Sequence, residues 1–92
     1  MFSFSNKKQK IAVVGSGYWG SIIINTLIDL GFKNIIIYDK SIKNKKIAKK
    51  KFKIIKFENN FSTILNDTNI KNIFVVTPPS VNLTIVKKLI FN

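Results

Sequence analysis

The sequence predicts an α/β domain built on a doubly wound parallel sheet, and three observations carry that prediction. Runs such as "NIIIYD" (34–39) and "NIFVVT" (72–77) are apolar throughout, with none of the polar alternation of a half-solvated strand. Strands of that kind are covered on both faces. Between them lie stretches with helical spacing of apolar residues. The two kinds alternate along the whole chain as β-α-β-α-β-α-β-α, the order that right-handed crossovers between parallel strands produce.

Taken in order, residues 1–8 ("MFSFSNKK") form a polar, lysine-bearing lead that is read as disordered, ahead of one domain over 9–92. Lys10 to Val14 is a short β-branched strand that stops at Gly15. Ile22, Ile23, Thr26, Leu27 and Leu30 then recur at helical spacing, and Gly31 is a good residue to end a helix over 18–30. Residues 34–39 are the second strand. "KSIKNKKIAKKKF" (40–52) carries only a weak stripe through Ile42 and Ile47, which predicts a poorly formed, very basic helix. "KIIKF" (53–57) reads as a third strand, and "FSTILND" (61–67) as a short helix with Phe61, Ile64 and Leu65 on one side. The fourth strand, 72–77, is broken by "PPS", after which Ser80 can cap a last helix whose Val81, Ile85, Val86 and Leu89 face the sheet.

Composition bounds the chemistry. The chain has 92 residues, 46% of them hydrophobic, which suits one small globular domain. It contains no cysteine and no histidine, so disulfides, thiolate chemistry and the usual zinc sites are excluded, along with the commonest general base. The first residues lack the apolar core of a secretory signal, and no apolar run approaches the ~20 residues of a membrane span. A cytoplasmic protein without a membrane partner is expected. The net charge of +12 alone would suggest nucleic acid. Yet all 16 basic residues are lysine. Arginine, the usual base-reading residue, is absent, and lysine, asparagine and isoleucine are over-used together, as AT-rich coding produces. A lysine-rich nucleic-acid binder is therefore the least favoured reading.

The chemistry-bearing stretch is "KIAVVGSGYWGSIII" (10–24). Gly15, Gly17 and Gly20 form a G-x-G-x-x-G pattern between a strand and a helix, the context that gives this weak pattern its meaning. The first glycine lets the chain turn out of the strand. The second lets a pyrophosphate approach the backbone, and the third lets helix and strand press together. Free N–H groups of the first helical turn face the anion. Asp39 ends the second strand about 20 residues further on, where a carboxylate accepts hydrogen bonds from a ribose. It favours NAD over NADP, and Lys40 and Lys43 blunt the preference. Thr77, Pro78 and Pro79 follow the fourth strand and are expected across the same cleft, at the point where strand order reverses. Tyr18 and Trp19 open the helix; packing is the expectation for Trp19, while Tyr18 stays open.

"VVGSGYWGS", "YDK" and "NIFVVTPPSVNLTIVKKLI" together resemble the N-terminal domain of the Gfo/Idh/MocA oxidoreductases, from about Lys10 onward. The Tyr-Trp pair is most similar to the nucleotide-sugar and amino-sugar branch. The resemblance implies a partial Rossmann fold, with strand order 3-2-1-4 and helices on both faces. It also implies hydride transfer between NAD(P) and a sugar or nucleotide-sugar hydroxyl. By the same resemblance Gly15, Ser16, Gly17, Tyr18, Trp19 and Gly20 cradle the pyrophosphate, Asp39 with Lys40 meets the ribose, and Thr77, Pro78 and Pro79 line the dinucleotide. Family members often carry a histidine where Asn82 stands, and they continue with an E-K-P-like motif and a larger substrate domain. The expectation is thus an N-terminal fragment with no catalytic residue of its own. The alternative is a non-catalytic nucleotide-binding module completed by a partner chain, because 72–77 would be a sheet edge with no device against pairing.

Overall fold

The computed structural model describes residues 7–53 and 55–76. Within them the chain runs β1 (Lys10–Val14), α1 (Tyr18–Asp29), β2 (Ile35–Tyr38), α2 (Ile42–Lys51), β3 (Lys56–Phe57), α3 (Phe61–Asn66) and β4 (Ile70–Val75). The expected last helix from Ser80, and Thr77, Pro78 and Pro79, lie outside the described residues.

The four strands form one parallel sheet, as the alternating pattern predicts, in the order β3-β2-β1-β4 that the resemblance implies. Register decides which side chains share a face. Val13 stands opposite Ile37 on one side and Phe74 on the other, and Ile37 stands opposite Phe57. With Ile11 and Ile35 these residues build the core on one face, where Ile24 and Leu27 of α1 and Ala48 of α2 cover them. Successive residues of a strand point to opposite faces. Tyr38 therefore looks the other way, and its ring meets that of Phe61 in α3 at 5.2 Å. So α1 and α2 lie on one face and α3 on the other, which is what a change of winding direction after β3 requires.

Two helix ends explain their own limits. Gly31, at φ +95°, closes α1: its N–H bonds Ile28 O at 2.9 Å and the Phe32 N–H bonds Leu27 O at 3.0 Å. This paired geometry needs a left-handed residue, and it carries Phe32 into the core beside Leu27. The helix α2 begins at Ser41, whose hydroxyl accepts from the Asn44 N–H at 3.2 Å. It ends with Lys49, Lys50 and Lys51, cations placed where the helix dipole is negative.

The structure corrects the sequence reading at four places. The strand expected over 53–57 is only two residues long, because Phe52 and Ile55 are buried in a turn in which the Ile55 N–H bonds Phe52 O. The inward face of α1 is Gly20, Ile24 and Leu27, with Ile22 and Leu30 exposed. In α2 the stripe of Ile42 and Ile47 is 71% and 54% exposed, and Ala48 does the packing. Trp19, expected to pack, is 66% exposed. In the lead, the Lys7 ammonium lies 4.5 Å from the centre of the Phe32 ring. Among the described residues, no helix is long and apolar enough to cross a membrane.

Candidate functional site

The site is the turn from β1 into α1. Gly15 leaves β1 with φ +108°, a conformation side-chain-bearing residues rarely adopt, while its N–H still bonds Tyr38 O of β2 at 2.8 Å. Gly20 faces back onto the same turn. A Cβ built on it would lie 2.0 Å from Gly15 O, so α1 can pack this close to the strand only without one.

Gly17 is different. Its φ is −71°, and a Cβ there would meet nothing nearer than the Asn44 amide nitrogen at 3.6 Å, an ordinary contact. The fold does not require glycine at this position. Gly17 is also the residue that caps α1, and it supplies no side-chain acceptor. By contrast, Ser41 caps α2 and Asn60 caps α3. The first N–H groups of α1 therefore meet no capping side chain, directly beside a glycine that leaves space above the backbone. Such a place suits an anion, which the helix dipole also favours.

Asp39 holds the loop in this shape. Its Oδ2 accepts from both the N–H and the hydroxyl of Ser16, each at 2.7 Å, and its Oδ1 accepts from the Ser41 N–H at 2.8 Å. Ser21 adds a bond from its hydroxyl to Ser16 O at 3.1 Å. One carboxylate at the end of β2 thus ties the glycine loop to the start of α2. Lys40 beside it is exposed. Sequence reasoning placed Asp39 at the site but missed its bonds to Ser16 and Ser41. The serine before Ile42, a helix-capping residue, was the available signal.

Tyr18 and Trp19 project from the first turn of α1, 76% and 66% exposed, with their rings edge to face at 5.4 Å. Beside Tyr18 a cleft of about 280 Å³ runs between α1 and α2, lined in part by Gly17, Ser21, Ile22, Asn44 and Ile47. On the other side of the loop, the Val76 N–H bonds Val14 O at 2.8 Å, so the chain leaves β4 next to where the glycine loop begins. Among the described residues, no group of three acidic, histidine or cysteine side chains could hold a metal ion.

A parallel α/β sheet, a glycine turn between β1 and α1, and a carboxylate closing β2 define a nucleotide-binding domain of the Rossmann class. Residues 9–92 match the family model described as the oxidoreductase family with an NAD-binding Rossmann fold, Gfo/Idh/MocA, and the chain belongs to that family. Comparison with curated proteins and with solved structures gave no significant match.

Proposed function

We propose that the chain binds NAD across the glycine loop, as the cofactor-binding part of an oxidoreductase acting on a sugar or nucleotide-sugar hydroxyl. The observation that carries the proposal is Gly17: a glycine the fold does not need, at the one described helix start that lacks a side-chain cap. Gly15 to Gly20 seat the pyrophosphate on backbone N–H groups. Asp39, which already accepts three hydrogen bonds, has one lone pair left, on Oδ1, for a ribose hydroxyl. Its charge disfavours a 2′-phosphate, so NAD is preferred to NADP, with Lys40 and Lys43 moderating the preference. Thr77, Pro78 and Pro79 complete the dinucleotide cleft from the end of β4 in this reading. The nicotinamide, when bound, supplies hydride transfer; the glycine loop and Asp39 bind and orient the cofactor. The sugar substrate rests on the likeness of the Tyr18-Trp19 pair to the nucleotide-sugar and amino-sugar branch of the family.

Titration calorimetry with NAD, NADP and ADP-ribose tests the proposal. NAD and ADP-ribose should bind, NADP more weakly, and Gly17→Val should abolish binding by setting a branched side chain against the pyrophosphate. An unchanged affinity in Gly17→Val overturns it.

A further inference from the structure

We infer that Asn44, in the first turn of α2, is a further cofactor-binding residue whose side-chain amide donates a hydrogen bond to the pyrophosphate. The inference rests on reading the glycine loop as the pyrophosphate seat, and it names a donor that the glycine motif does not contain. The Asn44 amide nitrogen is the nearest atom to the space above Gly17, 3.6 Å from where a Cβ would stand. A phosphate oxygen packed against the Gly17 Cα comes within hydrogen-bond reach of that nitrogen.

The amide has donors to spare. The backbone N–H of Asn44 goes to the Ser41 hydroxyl, and its side chain makes no hydrogen bond among the described residues. Its position is also fixed with respect to the loop. Ser16 bonds Asp39, Asp39 bonds the Ser41 N–H, and the Ser41 hydroxyl bonds the Asn44 N–H, an unbroken chain from the glycine turn to the first turn of α2.

The electrostatics leave room for this donor. Residues 15–21 include no cation. Among the described residues, the only lysine lining the neighbouring cleft is Lys51, whose ammonium lies 5.5 Å from the centre of the Phe52 ring. Neutral donors therefore meet the pyrophosphate charge, and a neutral amide contributes to a charged acceptor more than it would to a neutral one.

Calorimetry of NAD, ADP and adenosine on the unaltered chain, Asn44→Ala and Asn44→Asp tests the inference. Asn44→Ala should weaken NAD and ADP about tenfold and leave adenosine unchanged, because only the first two carry the pyrophosphate. Asn44→Asp, of equal volume, should weaken NAD and ADP further by charge repulsion. Thermal melts of all three chains should agree closely, since the Ser41 cap uses the backbone. If the unaltered chain binds NAD and ADP and both variants bind them equally well, Asn44 is not a ligand and the glycine-loop reading stands. An equal loss of adenosine also overturns the inference, since the effect is then not on the phosphates. If the unaltered chain binds neither NAD nor ADP, the glycine-loop reading itself falls and this inference falls with it.

Discussion

A methyl group added at Gly20 would meet the backbone oxygen of Gly15 at 2.0 Å, and backbone cannot rotate out of the way. Gly20→Ala should therefore push α1 off β1 and cost roughly 1–3 kcal/mol or more, as overpacking does. Urea denaturation will show this as a lower midpoint. Gly17 should answer the same treatment with the opposite sign. Its extended conformation, φ −71° and ψ −152°, is that of a capping residue, and a serine there could accept from the open N–H groups of α1. Gly17→Ser should raise stability by roughly a few tenths of a kcal/mol, seen as a higher urea midpoint, while lowering NAD affinity, because the hydroxyl takes the donors that a phosphate needs. A loss of stability with NAD affinity retained would contradict the role given to this residue. The two glycines belong to one motif, yet one serves packing and the other leaves an anion room.

At the scale of elements, α2 is the least self-sufficient. Six of its ten residues are lysine, none is acidic, and only Ala48 is buried. Lys43, Lys46 and Lys50 stand three and four positions apart, so like charges repel along one ridge. Lys46→Glu replaces that repulsion with an attractive pair to Lys50, and should stabilise the chain by roughly 0.3–0.5 kcal/mol at low salt, an effect that added salt removes. Thermal melts at two ionic strengths check it. Helix and strand order was legible in the residues because apolar runs and glycine turns mark it locally. The inward face of α1 was not. Three isoleucines in succession, 22–24, let hydropathy rotate the helix freely, and it is the contact of Gly20 with Gly15 that selects Ile24 and Leu27. Trp19 misled for a related reason. A large ring suggests a core, but Trp19 stands in the first turn of α1, 66% exposed and edge to face with Tyr18. Of the site, the glycines and Asp39 were readable from spacing. The Ser16, Ser41 and Asn44 contacts were not, since they depend on how α2 docks beside the loop.

Across the whole molecule, one ion pair among the described residues joins distant parts of the chain. The Lys10 ammonium at the start of β1 donates to the Asp67 carboxylate at the end of α3, and both side chains are partly buried. That bond, and a second from the Asn69 N–H, hold the Asp67 carboxyl below its ordinary value of 3.8. A carboxylate depressed in the folded state stabilises it above the unfolded value and ceases to as pH falls through the folded one. Stability should thus decline as pH drops below 3.8, and Asp67→Asn should flatten that part of the profile while lowering stability at neutral pH. Urea midpoints taken between about pH 6 and pH 2 test this. A profile that keeps its slope in the variant would place the acid sensitivity elsewhere. The outer side of β4 bears on assembly. This strand pairs with β1 on one side and with no strand on the other among the described residues. We propose that it adds a strand from a partner, either a second copy or another chain. With a second copy as the partner, sedimentation should show concentration-dependent association, which Ile73→Lys weakens.

The bonds that Asp39 makes to Ser16 and Ser41 have a thermodynamic consequence. A glycine-rich turn is the segment of a chain that loses most conformational freedom on ordering. Here that loss is met during folding, not at the moment of ligand capture. Nucleotide association should accordingly carry only a small entropic penalty and proceed at a rate set by encounter. Freeing the turn through Asp39→Ala would make it wait on a slower rearrangement, visible in stopped-flow traces as a rate that levels off with concentration.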